Sequence, residues 1–251
     1  MTVTPTDRVG LSFRRSLPSY TREASPQKRI ARLLVKRLLR VCPEWRFNCA
    51  FEFGCGTGNL TLPLAQELEL GRLFLNDLVA DVAHDLPVRP TQFIAGPVET
   101  VPWPATPDLI ASASALQWVE DPAALIHRLA ELLQPKGWMA ISTFGPDQFK
   151  ELVALGSDAG APGYMTDADL SVAMAETLDV RDSGMLTCRL WFDDPRDVLR
   201  HLRETGVNGR AKGGWTRRDL ERFCSDYVER FAIDGRVPLT YQPVWAIATR
   251  A

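Results

Sequence analysis

Three closely spaced glycines, Gly54, Gly56 and Gly58, follow the acid Glu52 in the stretch EFGCGTG. Glycine reaches positive φ freely and lets another group approach the backbone, so this stretch predicts a ligand-binding loop. The spacing does not match the P-loop pattern G-x-x-x-x-G-K-[ST], and it departs from the dinucleotide pattern G-x-G-x-x-G. An acid directly before the loop would repel a pyrophosphate. The loop is therefore predicted to bind a cationic ligand rather than a phosphate.

A second acid, Asp77, ends the stretch LFLND, 21 residues after Gly56. An acid at about that distance is where the hydroxyls of a ribose are hydrogen-bonded in nucleotide-binding folds. A glycine loop, an acid beside it and a ribose-binding acid together describe the site of a nucleoside that carries a positive charge. A helix N-cap is the alternative role for Asp77.

These residues need a strand before the loop and a helix after it. Strands are predicted over residues 49–53, 72–76, 92–95, 108–113 and 138–144, and helices over 25–40, 59–70, 79–86 and 122–133. Strands separated by helical segments indicate βαβ crossovers and a parallel sheet covered on both faces. The glycine loop then lies at the carboxyl ends of the strands, where a doubly wound sheet binds its ligand.

The alternation of predicted strands and helices ends after residue 145. Helices are predicted over 147–155 and 166–177 and from Asp194 and Thr216 onwards, and VRDSGMLTCRLWF and LTYQPVWAIATR each predict one long strand. We expect an α/β fold with a Rossmann-like, doubly wound, mostly parallel seven-stranded sheet, a C-terminal helical insertion and an N-terminal helical segment. The predicted organisation is a single domain over 1–251, with a substrate or lid segment (1–45), a cofactor-binding half (46–145) and a helical insertion with substrate-side elements (146–235).

The composition narrows the class of protein. The chain has 251 residues, of which 45% are hydrophobic and 24% charged, as in an ordinary globular protein. A net charge of −2 and a pI near 6.0 disfavour nucleic-acid binding. No apolar run approaches the ~20 residues of a membrane span, and the first residues lack a signal-peptide core. Five cysteines without C-x-x-C spacing and three dispersed histidines favour a cytoplasmic protein with free thiols and no metal.

The stretch FEFGCGTGNLT resembles motif I of the class I S-adenosylmethionine-dependent methyltransferases. The resemblance implies S-adenosyl-L-methionine as the cofactor, with the glycines beneath its methionine and ribose and its sulfonium as the positive charge. The implied cofactor-binding residues are Glu52, Gly54, Gly56, Gly58, Asp77, Leu78, Val98, Glu99 and Ser114. The family often has an adenine-contacting acid where this chain has Pro97. Backbone groups, Glu99, or apolar packing by Val98 or Trp103 remain open as adenine contacts.

Three flanking stretches resemble the malonyl-acyl carrier protein O-methyltransferases of biotin synthesis. They are SFRRSLPSYTREASPQKRIARLL, which contains Phe13, Tyr20, Ala24 and Gln27; the region from DLIASASALQWVEDP to STFGPDQFKEL; and WFDDPRDVLRHLRETGVNG. The resemblance implies methylation of the free carboxylate of a malonyl thioester. The methyl ester removes the charge of the short diacid, so that it can serve as a fatty-acid primer. The partner would be malonyl-loaded acyl carrier protein, which is acidic, or malonyl-coenzyme A, and we expect a monomer.

A carboxylate with a pKa of ~4 is already ionised at neutral pH, so this reaction needs no general base. It needs a cation that holds the carboxylate, and the planar fork of arginine fits best. The resemblance favours Arg200 as the catalytic residue, with Tyr20 aiming the reacting oxygen. Gln117, Trp118 and Arg203 complete the expected substrate site. The alternatives are a solvated helix face for the arginines and ordinary packing for Tyr20 and Trp118.

Two basic stretches could meet an acidic carrier protein. The first, GRAKGGWTRRDLERF, contains Arg210, Lys212, Arg217, Arg218 and Arg222, and the second is the helix from Arg29 to Arg40. We expect docking on the first, with the second next in line. Two other functions stay open: a class I methyltransferase that acts on another small carboxylic acid or on RNA, and a non-catalytic S-adenosylmethionine-binding partner protein.

Overall fold

The computed structural model describes residues 9–17, 24–157, 160–207 and 215–251, and these divide into two compact units. The accessory unit takes its described residues from Met1–Ala24, Pro146–Ala161 and Leu186–Gln242, and the core unit from Ser25–Gly145, Pro162–Met185 and Pro243–Ala251. Within the described ranges, no helix is both long enough and apolar enough to cross a membrane.

The described residues form nine strands and eight α-helices. The strands are β1 (Arg46–Phe53), β2 (Glu69–Asp77), β3 (Gln92–Ala95), β4 (Leu109–Ala113), β5 (Trp138–Phe144), β6 (Asp179–Met185), β7 (Cys188–Phe192), β8 (Val237–Tyr241) and β9 (Pro243–Thr249). The helices are α1 (residues 9–17), α2 (Ser25–Val41), α3 (Thr61–Glu67), α4 (Pro122–Leu132), α5 (Lys150–Ala154), α6 (Asp167–Ala175), α7 (Pro195–Glu204) and α8 (Arg217–Phe231). Two short 3-10 helices cover Ala80–Asp85 and Leu116–Trp118.

The core unit contains a seven-stranded sheet in the order β3-β2-β1-β4-β5-β9-β6. The pairs among β1 to β5 are parallel, whereas β9 runs antiparallel to both β5 and β6. The strand β5 is buried along its whole length, and β1 is buried from Cys49 onwards. Such continuous burial is what a parallel sheet covered on both faces requires. The predicted fold class, a mostly parallel doubly wound sheet, is therefore confirmed.

The helix α2 runs opposite to the parallel strands of the core unit. Glu44, just after its end, accepts a hydrogen bond from Nε1 of Trp138, the first residue of β5, at 3.0 Å. The end of α2 therefore lies at the amino end of β5. Its 17 residues extend ~26 Å, slightly more than the ~23 Å of β5. The start of α2 consequently lies near the carboxyl ends of the strands, and α2 contacts α3, which follows the glycine loop.

The accessory unit contains the antiparallel pair β7–β8 together with α1, α5, α7 and α8. The buried Tyr227 of α8 donates its hydroxyl to the carbonyl of Pro238 in β8 at 2.7 Å. Glu151 of α5 accepts the Thr240 N–H of β8 at 2.9 Å. Buried polar contacts therefore attach both helices to the same strand.

The two predictions of single long strands are wrong. VRDSGMLTCRLWF forms β6 and β7, and LTYQPVWAIATR forms β8 and β9, with one strand of each pair in each unit. At the second break, Oε1 of Gln242 accepts the Asp147 N–H, and the Gln242 N–H donates to Oε1 of Gln148, both at 2.8 Å. These side-chain hydrogen bonds replace the sheet ladder at one residue, so β8 ends before β9 begins.

Two predicted helices are also shorter or tighter than expected. The helix predicted over 59–70 is confined to Thr61–Glu67, because Glu69 already pairs with Arg46 in the sheet. The helix predicted over 79–86 is a 3-10 helix, in which the Val82 N–H bonds the carbonyl of Val79 at 3.3 Å, the i→i+3 spacing. In both stretches the apolar pattern of a helix extends over residues whose backbone forms sheet or 3-10 hydrogen bonds instead of α-helical ones.

Candidate functional site

The glycine loop adopts the left-handed conformation that its sequence predicts. Gly54, Gly56 and Gly58 have φ values of +65°, +51° and +82°. A Cβ on Gly54 would lie 2.1 Å from Cβ of Ala115, so no side chain fits there. Around Gly56, by contrast, no heavy atom of the described residues other than Gly56 and its two chain neighbours lies within 4 Å of the Cβ position. The backbone at Gly56 is therefore open to a ligand, while Gly54 is required by close packing.

Asp77 holds the glycine loop through its carboxylate. Its Oδ2 accepts the Gly56 N–H and its Oδ1 accepts the Val79 N–H, both at 2.8 Å. Burial raises the pKa of Asp77, and these N–H donors oppose that rise. The N-cap position of the following 3-10 helix is Val79, so the N-cap alternative for Asp77 does not hold. Each carboxylate oxygen keeps a lone pair with which it can accept a ligand hydroxyl.

Glu52 is a buried acid at the end of β1, with 2% of its surface exposed. Its Oε2 has no hydrogen-bond partner among the described residues. Burial, reinforced by the negative charge of Asp77, raises the pKa of Glu52 to about 8. A buried carboxylate oxygen without a partner makes the charged form costly. A bound cation would stabilise its charged form.

The carboxyl end of β4 turns sharply at Ser114, which has a φ of +59°. Its N–H donates to the carbonyl of Ser142 at 3.0 Å, and its carbonyl accepts Nε2 of Gln117 at 2.7 Å. Oε1 of the buried Gln117 accepts the Thr143 hydroxyl at 3.4 Å. Both polar ends of the Gln117 amide are thus used to hold this turn. Gln117 positions Ser114 in this structure, and its contact with substrate stays a prediction, as does that of the partly buried Trp118.

The segment after β3 is held by Trp103. Its Nε1 donates to the carbonyl of Val98 at 2.7 Å, and Val98 itself is buried in the core cluster. The guanidinium of Arg128 lies 4.6 Å from the centre of the Trp103 ring and donates to the carbonyl of Glu99 at 3.1 Å. Val98, Glu99 and Trp103 stay alternative predicted adenine contacts, and the partly buried Leu78 stays a predicted cofactor-binding residue.

Several further buried polar atoms in the described part of the core unit have no hydrogen-bond partner. Among them are Oε1 of Gln27, Oγ1 of Thr57, Oγ of Ser114 and Oγ of Ser142. Gln27 is only 4% exposed and lies on the face of α2 that carries Ile30 and Leu34. The sequence motifs assigned Gln27 no site role. Its polar amide at an apolar-face position was the available signal, and its place at the start of α2 brings it to the carboxyl edge of the sheet.

The predicted substrate arginines lie in the accessory unit, whereas every predicted cofactor residue lies in the core unit. Arg200 and Arg203 are exposed on α7. The Arg200 side chain is 55% exposed, and its Nη1 forms an ion pair with Oδ1 of Asp197 at 2.7 Å. Tyr20 lies outside the described residues. The roles of Arg200, Arg203 and Tyr20 therefore stay predictions.

Comparisons with known proteins agree with the sequence motifs. Residues 51–141 match the methyltransferase domain family. The chain is 36% identical to malonyl-[acyl-carrier protein] O-methyltransferase of Bacteroides thetaiotaomicron over 95% of each chain. It is 39% identical to the Porphyromonas gingivalis protein of the same name, covering 94% of this chain and 92% of the other. The solved N-methyltransferase NodS of Bradyrhizobium japonicum, in complex with S-adenosyl-L-homocysteine, shares the fold with a TM-score of 0.52 and 15% identity, covering 94% of this chain and 98% of NodS.

Proposed function

The chain belongs to the malonyl-[acyl-carrier protein] O-methyltransferase family, and we propose that it methylates the free carboxylate of a malonyl thioester on acyl carrier protein. The methyl donor is S-adenosyl-L-methionine, and the product is the malonyl methyl ester used in biotin synthesis. The observation that carries this proposal is near-full-length similarity to relatives of that one activity, together with an intact glycine loop and its two acids. We also propose that the protein is a cytoplasmic monomer and that it does not bind nucleic acid.

The core unit has the groups that this cofactor needs. The open backbone at Gly56 can pass beneath the ligand. Asp77 is oriented by two N–H groups and can accept the ribose hydroxyls. Glu52 offers a buried carboxylate oxygen without a partner in the described chain, which suits a cationic ligand. When bound, the cofactor supplies an electrophilic methyl group on a sulfonium.

The protein's contribution to the chemistry is alignment rather than proton transfer. The malonyl carboxylate is ionised at neutral pH, so no base has to remove a proton. Holding the carboxylate in line with the methyl group can contribute roughly 7–11 kcal/mol to catalysis. A two-pronged grip on both oxygens would weaken the nucleophile. Arg200 therefore holds the acid mainly through one oxygen, and Tyr20 aims the other.

Cofactor affinity should rise with pH because Glu52 must lose its proton to pair with a cation. Its pKa of about 8 keeps the carboxyl protonated at neutral pH. Each pH unit below that pKa should reduce affinity by up to ~10-fold. The same raised pKa means that the cofactor-free folded state binds more protons than the unfolded chain. Its stability therefore falls as pH rises from the ordinary carboxyl pKa of 4.5 towards 8.

Titration calorimetry of wild type and Glu52→Gln between about pH 6 and about pH 8 measures this coupling. The wild type should gain affinity over that range, and the variant should gain much less. Taking the difference between the two proteins removes the ionisation of the ligand itself. Identical pH slopes for both would show that Glu52 does not pair with the cofactor's charge.

The reaction is tested with purified protein, labelled S-adenosylmethionine and four acceptors: acyl carrier protein loaded with malonyl, succinyl or acetyl groups, and RNA. We expect label on the malonyl protein as a base-labile ester and none on the acetyl protein, which has no free carboxylate. Transfer to succinyl protein alone, or to RNA, would indicate another class I methyltransferase. Cofactor binding without transfer to any of these would favour the non-catalytic partner protein.

A further inference from the structure

The exposed face of α2 carries an uninterrupted stripe of positive charge. The helix contains six lysines and arginines and no acidic residue. Arg29, Arg32, Lys36 and Arg40 are exposed at steps of three and four residues, so they lie along one line ~16 Å long. None of these four has an ion-pair partner among the described residues, whereas Arg37 pairs with Asp182 at 3.7 Å. In a chain with a net charge of −2, this is a concentrated basic surface.

The other candidate surface, on α8, is neutral by comparison. That helix contains four arginines and four acidic residues. Arg217 pairs with Glu221 at 2.9 Å, and Arg222 pairs with Asp219 at 3.2 Å. Its positive charges are thus largely compensated within the helix. The helix α8 itself therefore offers an acidic protein no net attraction, and Arg210 and Lys212 of the same stretch lie outside the described residues.

The stripe on α2 also begins at the end of the core unit that contains the predicted cofactor site. The end of α2 is fixed at the amino end of β5 by the contact between Glu44 and Trp138. Its first turns therefore lie beside the carboxyl ends of the strands, where the glycine loop lies. A protein docked along the stripe would have one end next to the cofactor-binding edge.

We propose that the α2 stripe, Arg29, Arg32, Lys36 and Arg40, is the docking surface for the acidic carrier protein that delivers the substrate. This inference rests on the proposed function. The stripe acts on association through long-range attraction, which can raise on-rates by roughly 10- to 1,000-fold and weakens as salt is added. The substrate arm then enters at the carboxyl edge of the sheet, while the carrier itself stays on the outer face of α2.

Two variants with equal changes in charge test this proposal. Arg29→Glu with Lys36→Glu alters the stripe, and each new glutamate lies three or four residues from Arg32, so helical ion pairs offset the substitution. Arg217→Glu with Arg218→Glu is the matched control on α8. Binding of fluorescently labelled malonyl-carrier protein is measured at several salt concentrations. Turnover of the malonyl thioester of N-acetylcysteamine, which lacks the carrier, is measured in parallel.

We expect the α2 variant to lose at least ~10-fold in carrier binding at low salt, together with most of the salt dependence. The α8 variant should stay within about twofold of wild type, and both should keep turnover of the small thioester. A larger loss in the α8 variant, an equal loss in both, or no loss in either overturns the proposal. Wild-type protein that does not bind the carrier overturns it as well. Turnover of the small thioester then decides separately whether the proposed reaction stands.

Discussion

Asp77→Ala should weaken S-adenosylmethionine binding by roughly 10- to 150-fold while the protein stays folded. The carboxylate is expected to accept hydrogen bonds from the ribose, and such bonds to a charged group contribute ~1.5–3 kcal/mol. The structure adds a second reason, because the same carboxylate holds the Gly56 N–H at 2.8 Å. Losing it frees the glycine loop as well as the ribose. Calorimetric titration with the cofactor measures the loss.

Two further variants separate these contributions. Asp85→Ala removes an exposed acid eight residues later in the chain and should leave affinity unchanged. Asp77→Asn keeps one carbonyl oxygen and should lose less affinity than Asp77→Ala. Wild-type affinity in folded Asp77→Ala, verified by circular dichroism, would remove Asp77 from the cofactor site.

The conformation of the glycine loop was predictable because it follows from local geometry. Positive φ at Gly54, Gly56 and Gly58 depends on the residue type itself, and the distance from Gly56 to Asp77 depends on one helix and one strand. The family resemblance extended this interpretation to the cofactor and the reaction. Local spacing therefore accounts for the part of the site that a single βαβ unit builds.

The features that the sequence did not predict depend on which other segments each stretch packs against in the folded protein. A run of strand-forming residues such as VRDSGMLTCRLWF does not indicate that its two halves pair in different sheets. The buried, unpartnered Oε1 of Gln27 is likewise a property of tertiary packing. The compensated charge of α8, by contrast, is visible in the sequence as acids three and four residues from its arginines. Counting both signs of charge along each helix, rather than the basic residues alone, favours α2 over α8.

The exposure of Arg200 in this structure does not argue against its predicted role. Its partner Asp197 is also a surface residue, and an exposed ion pair contributes only ~0–1 kcal/mol. A substrate carboxylate gains ~3 kcal/mol from a charge-assisted hydrogen bond. Pairing of Arg200 with the malonyl carboxylate would therefore be favoured over its pairing with Asp197. Asp197→Asn should change catalytic efficiency by less than about fivefold.

Arg200→Ala should leave cofactor affinity nearly unchanged but lower kcat/KM for malonyl thioester by roughly 150-fold. Arg200→Lys should recover only part of this, because lysine lacks the planar fork. Arg196→Ala is the matched control, since Arg196 lies on the same helix, is 52% exposed and also pairs with an acid, Asp194. Selectivity is the deciding measurement: wild type should bind malonyl thioester in preference to its methyl ester or to acetyl thioester, and Arg200→Ala should erase most of that difference. A variant that keeps the wild-type margin would leave Arg200 as a solvated surface residue, and Arg203 or Arg14 would be the next arginine to test.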